Sequence, residues 1–186
     1  DTRRGAATIA KMGRPGGFVS LFPVNRVDPI HFSTGAIFEM RNKIAFYGAG
    51  NVGATSAHWL ANMELGDCVL FDIFGQAAAG KALDLYEAGP AIGFDSRVTG
   101  GNEPGIIEGA DIVVVTAGVP RRKDPETGQF PSRDELVKIN QKVMEDVSAN
   151  IKKYAPESII VVVSNPLDAM CHVVQHVTGF PRERII

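Results

Sequence analysis

Residues Lys43–Gly53 read KIAFYGAGNVG. A run of strand formers ends directly in three glycines, Gly48, Gly50 and Gly53, spaced G-x-G-x-x-G. The residues that follow, NVGATSAHWLANME, carry apolar side chains at helical spacing. A lone glycine pattern says little, but strand, glycines and helix in this order form the context in which it holds a dinucleotide phosphate. Gly48 permits a tight turn. Gly50 lets the backbone approach a pyrophosphate with no Cβ in the way, and Gly53 lets the helix pack closely on the sheet. The helix start offers unpaired N–H groups and a partial positive charge. Gly48, Ala49, Gly50, Asn51, Val52 and Gly53 are therefore the candidate phosphate loop.

The next strand, CVLFDI, places Asp72 19 residues after Gly53. A carboxylate there accepts hydrogen bonds from the adenosine ribose hydroxyls and repels a 2′-phosphate, so NAD is the expected cofactor and not NADP. Ile73 and Phe74 follow with no arginine among them, which points the same way.

Working outward, strand-like and helix-like runs alternate. AAAGKALDLYEAG reads as a helix, a short strand is expected around Arg97–Thr99, and DIVVVTAG is a buried strand. PSRDELVKINQKVMEDVSANIKKYA is a long amphipathic helix with Ser132 as its N-cap and acids in its first turn. SIIVVVSNP is a further buried strand, LDAMCHVVQHVTG a further helix, and ERII has the look of a sixth strand at its start. Unbroken Val/Ile strands alternating with helices indicate a parallel sheet covered on both faces. The expected fold is α/β, a doubly wound parallel sheet of the Rossmann NAD-binding type over residues 40–186, cut at the sixth strand.

Composition agrees with a globular protein and narrows its partners. The chain has 186 residues, 45% hydrophobic and 22% charged, and a formal net charge of −2, so neither nucleic acid nor an anionic membrane is favoured. Its apolar runs are too short to span a bilayer. Cys68 and Cys171 show no metal spacing and fit a reducing, cytoplasmic setting. Residues 1–39 are different: scattered Gly, Pro and Arg, no period of 2 or 3.6, and a Met only at position 40. They are expected to be a disordered or upstream-translated tail, with a cleaved presequence as the alternative because Arg outnumbers acid there.

Together, YGAGNVG, LFDI, GKALDL, VVVTAGVPR, SRDEL, KINQKVM and VVVSNPLDAM resemble the lactate/malate dehydrogenase family, most nearly the malate enzymes of lactate-dehydrogenase-like type. The resemblance covers Met40 to Ile186. It implies an NAD-dependent oxidoreductase of the tricarboxylic acid cycle that moves a hydride between (S)-malate and oxaloacetate, homo-oligomeric when intact. Lactate dehydrogenase and a non-catalytic dinucleotide-binding module are the alternatives. The motifs carry over further cofactor residues: Thr116, Ala117 and Gly118 beside the adenosine half, Asn140, and Val163, Ser164 and Asn165 toward the nicotinamide, with Asn165 also facing substrate. Arg133, in SRDEL, matches the mobile-loop arginine that polarises the substrate carbonyl, where negative charge grows during reduction. Arg121 occupies the position where malate enzymes keep an arginine for the second carboxylate of a dicarboxylic 2-hydroxy or 2-oxo acid, with Arg122 as its neighbouring competitor.

Two departures qualify the likeness. The family keeps about five residues between these arginines, whereas RKDPETGQFPS separates them here by eleven. The family's catalytic His, in a GGHGD-like motif, would follow the sixth strand. None of His31, His58, His172 and His176 replaces it, and the helical pair His172/His176 lacks a third ligand for a metal. The chain is thus expected to be the N-terminal part of a longer enzyme, without its C-terminal catalytic domain and inactive alone.

Overall fold

A computed structural model describes residues 41–123 and 128–186. The expectations for residues 1–39 fall outside the described residues. Five strands form one sheet: β1 (Lys43–Tyr47), β2 (Asp67–Phe71), β3 (Val98–Gly101), β4 (Ile112–Val115) and β5 (Ile159–Val162). Four helices connect or follow them: α1 (Asn51–Asn62), α2 (Gly75–Ile92), α3 (Arg133–Tyr154) and α4 (Leu167–Thr178). The strand order is β3-β2-β1-β4-β5 and every pairing is parallel, the order of a doubly wound sheet. Ile185 adds an isolated parallel bridge to Ile160, so the ERII segment lies beside β5 where a sixth strand is expected.

Period-2 alternation divides the core. Ala45, Tyr47, Val69, Phe71, Val113, Val115, Ile160 and Val162 face one side, against Met144, Val147 and Ile151 of α3 and Met170 and Val174 of α4. Ile44, Phe46, Cys68, Leu70 and Val98 face the other, against the small residues Ala57 and Ala61 of α1 and Ala78 and Ala82 of α2. Burial of each large side chain such as Phe46 or Leu70 contributes about 1.5–3 kcal/mol. The parallel strands need this cover on both faces because neither face carries a polar row.

Two elements extend past their expected ends. β3 includes Gly100 and Gly101, weak strand formers that the sequence reading left out. Contact explains the first: a Cβ on residue 100 would come within 2.4 Å of the Ala78 carbonyl oxygen, so α2 crosses β3 too closely for any side chain. α2 continues through Pro90 to Ile92 and stops at Gly93, whose φ of 103° is left-handed. Ser132 caps α3 as expected: its hydroxyl accepts from the Glu135 N–H and the Glu135 carboxylate accepts from the Ser132 N–H. The Ser132 N–H, and next its hydroxyl donating at 2.9 Å, hold the Glu135 carboxyl below the usual carboxylate range.

Candidate functional site

All five strands point their carboxyl ends at one edge, and the candidate residues collect there. β1 runs into Gly48, which has φ +116° and would drive a Cβ to 2.7 Å from the Ala117 nitrogen. Only glycine meets both demands. Gly53, in the first turn of α1, is buried against the same turn. The Thr116 hydroxyl donates to the Gly48 carbonyl at 2.7 Å, which ties the loop after β4 to the glycine turn.

Gly50 behaves differently. It is exposed, and a Cβ built on it meets nothing within 4 Å. The space beside it is open, and the protein's own packing does not explain a glycine there. The N-terminus of α1 has no side-chain cap and no acid in its first turn, whereas α3 has a complete capping box. The partial charge of α1 is left for an external anion. These two observations fit a pyrophosphate.

Asp72 directly follows β2, within reach of this loop. Its Oδ2 accepts from the Ala49 N–H at 2.8 Å and its Oδ1 from the Phe74 N–H at 3.1 Å. A carboxylate has about four acceptor sites, so ribose hydroxyls can still be bound. The sequence reading gave Asp72 the ribose alone; the structure adds a role in shaping the loop. Ile73 and Phe74 stand largely exposed next to it.

The loops after β4 and β5 are joined from inside. The Ser164 hydroxyl donates to the Ala117 carbonyl at 2.6 Å. Asn140, 2% exposed on α3, accepts from the Val119 N–H at 2.7 Å and donates to the carbonyls of Val119 and Asn165 at 3.2 and 2.8 Å. Both its donors are occupied within the protein, so Asn140 braces the site and keeps one oxygen lone pair spare. Val163 and Asn165 remain exposed at the edge.

The arginines flank the segment that follows β4. Arg121 Nε donates to the Pro131 carbonyl at 3.0 Å, and its guanidinium lies 5.4 Å from the centre of the Phe130 ring. Lys123 lies 5.6 Å from the same ring. Arg122 is exposed, and Arg133 is the first, exposed residue of α3. Sequence reasoning missed Phe130 and Lys81. Lys81 Nζ donates to the Ala49 carbonyl at 2.6 Å from α2, 32 residues away; a lysine on a helix otherwise reads as a solvated face.

Residues 42–186 match the family model described as lactate/malate dehydrogenase, NAD binding domain. The chain belongs to the lactate/malate dehydrogenase family. Within that family it is 48% identical over 145 residues to a malate dehydrogenase of Desulforudis audaxviator, a match covering 78% of this chain and 45% of the relative. The apo malate dehydrogenase of Picrophilus torridus superposes with a TM-score of 0.72 at 43% identity, over 78% of this chain and 45% of that one. A lactate dehydrogenase of Cryptosporidium parvum, solved with lactic acid and nicotinamide adenine dinucleotide, gives 0.70 at 36%, over 77% and 44%. The chain therefore spans somewhat under half the length of these family members. Among the described residues no helix is long and apolar enough to cross a membrane, and no cluster of three or more His, Cys, Asp or Glu is arranged to hold a metal.

Proposed function

We propose that the chain is the NAD-holding part of a malate dehydrogenase that interconverts (S)-malate and oxaloacetate. The observation that carries the cofactor reading is the phosphate loop: Gly50 opens onto free space in front of an uncapped α1, with Asp72 beside it. Gly48–Gly53 would hold the pyrophosphate, Asp72 the adenosine ribose, Thr116–Gly118 the adenosine side and Val163–Asn165 the nicotinamide side. When bound, the nicotinamide supplies or accepts the hydride.

The residues of this chain then bind and polarise. Arg133 stabilises negative charge growing on the substrate carbonyl oxygen as the edge closes. Arg121 pairs with the second carboxylate, whose removal from water is costly without a cation. That arginine favours a dicarboxylic acid over lactate; the two solved relatives above do not separate these substrates, since their TM-scores are nearly equal. The GGHGD-like motif that carries the family's proton-transferring histidine is not among residues 1–186, so on this reading residues 1–186 alone would bind cofactor without turnover. Two free cysteines, Cys68 buried, fit a cytoplasmic setting, and exposed Trp59, Leu83 and Tyr86 on α1 and α2 fit a homo-oligomer.

Calorimetric titration of NADH and NADPH, with oxaloacetate and pyruvate reduction by the full-length protein, tests this reading. NADH binding tighter than NADPH, and oxaloacetate reduced in preference to pyruvate, are expected. Tighter NADPH binding would overturn the cofactor reading, and a preference for pyruvate the substrate reading.

A further inference from the structure

The Ala49 peptide is tethered at both ends. Asp72 accepts its N–H at 2.8 Å, and the ammonium of Lys81 donates to its carbonyl at 2.6 Å. Ala49 lies between Gly48 and Gly50, and a Gly-Ala-Gly stretch loses much conformational freedom when it is held in one form. Two charged groups of opposite sign, from β2's end and from α2, counter that loss.

The choice of partner by Lys81 is informative. Its side chain lines a cleft between α1 and α2 together with Asn51, Thr55, His58, Asp84 and Leu85. Asp84 follows it by three residues on the same helix, a spacing that favours ion pairs. Yet the ion pairs among the described residues involve Arg41 and Arg184, not Lys81. Lys81 spends its charge on a backbone carbonyl of the phosphate loop. A positive charge that forms no ion pair within 4 Å thus lies beside Ala49, one residue before the N-cap of α1.

We propose that Lys81 is a positioning residue for pyrophosphate binding: by holding the Ala49 carbonyl it keeps the glycine loop in its phosphate-receiving form. This rests on the reading of the loop as an NAD cradle. A lysine that only covered the α1–α2 cleft with its methylene stem would leave ligand affinity alone.

The test compares three ligands on the full-length protein. NADH and ADP-ribose contain the pyrophosphate; adenosine does not. Lys81→Met should weaken NADH and ADP-ribose by about tenfold, the scale of one charge-assisted hydrogen bond, and leave adenosine unchanged. Lys81→Arg, which keeps the charge and the donors, should restore most of the loss. Unchanged ADP-ribose affinity in Lys81→Met overturns the proposal. So does an equal loss for adenosine, since that marks general loosening of the α1–α2 side. Failure of the unaltered protein to bind ADP-ribose at all would instead overturn the NAD reading beneath it.

Discussion

Gly53 and the Gly48 carbonyl oxygen leave no room between them: a Cβ on residue 53 would lie 2.0 Å from that oxygen. The helix that presents its N-terminus at the candidate site is therefore docked against the turn with backbone in direct contact with backbone, and with the Thr116 hydroxyl beside it.

Two opposed effects decide what Gly53→Ala does. Alanine favours a helix by about 1 kcal/mol over glycine. Overpacking against rigid backbone costs typically 1–3 kcal/mol, and a 2.0 Å contact belongs at the upper end. A net loss of about 1–2 kcal/mol is expected, roughly 2–8 °C in melting temperature, with weaker NADH binding. A melting temperature that stays level or rises would show that α1 can shift freely.

Asp72→Ser should lower the preference for NADH over NADPH, because the repulsion of a 2′-phosphate is removed. It should also weaken NADH itself, since the tether on the Ala49 N–H is lost. Paired titrations measure both. If NADPH gains nothing relative to NADH, the carboxylate does not discriminate between the cofactors.

Asn140 can be tested with two substitutions. Asn140→Leu leaves the Val119 N–H and the Asn165 carbonyl without their buried partner, at about 1–3 kcal/mol and about 2–12 °C in melting temperature. Asn140→Asp keeps the acceptor for Val119 but loses the donors to Asn165. It should also be destabilised, and oxaloacetate reduction by the full-length protein should fall as Asn165 loosens. Unaltered stability in both variants would remove the brace.

Arg121→Gln in the full-length protein should lower kcat/KM for oxaloacetate at least about tenfold, on a scale of about 1.5–3 kcal/mol for a hydrogen bond to a charged group. Pyruvate should lose far less. Arg122→Gln should have a small effect, having none of the contacts that seat Arg121 on Pro131 and Phe130. A larger effect at Arg122 would mean that the long segment has exchanged the two arginines.

Burial pushes the Cys68 thiol up to about 12 from an ordinary 9.0, helped by the nearby Asp67 charge. It pushes the Tyr47 phenol up to about 12 from 10.0, against the opposing effect of the hydrogen bond from Asn150. Both groups ionise more easily in the unfolded chain. Their contribution is complete below pH 9 for Cys68 and below pH 10 for Tyr47, and is lost toward pH 12. Stability should fall across that window by at most about 1.4 kcal/mol per pH unit for each group. Chemical denaturation from pH 8 to 11 measures this, and Cys68→Ala should flatten the slope. A slope that Cys68→Ala leaves unchanged would place the alkaline sensitivity elsewhere.

What could be read from sequence was what is local. The apolar strands, the Ser132 cap and the glycine spacing each depend on residues within a few positions of one another. The full length of β3 is not legible locally, because Gly100 is set by the approach of Ala78, which only the folded chain brings together. The inner bonds of the site were invisible for the same reason. Lys81 reaches Ala49 across 32 residues, and Asn140 reaches Asn165 across 25. A polar side chain on a helix gives no hint of whether it meets water or a distant carbonyl.

The parallel sheet also governs where this architecture can be altered by evolution. One residue inserted into β1 would turn Ala45 and Tyr47 toward the α1–α2 side and Ile44 and Phe46 away from it, upsetting both halves of the interior at once. Lengthening the Arg122–Ser132 segment from about five residues to eleven costs only about 0.7 kcal/mol in loop closure. Length variation is thus channelled to the segment between Arg121 and Arg133, the arginines proposed to meet substrate, and away from the strands beneath the glycine loop. On the proposed function, a lineage built on this plan would change which acid it accepts while its nucleotide half stays the same.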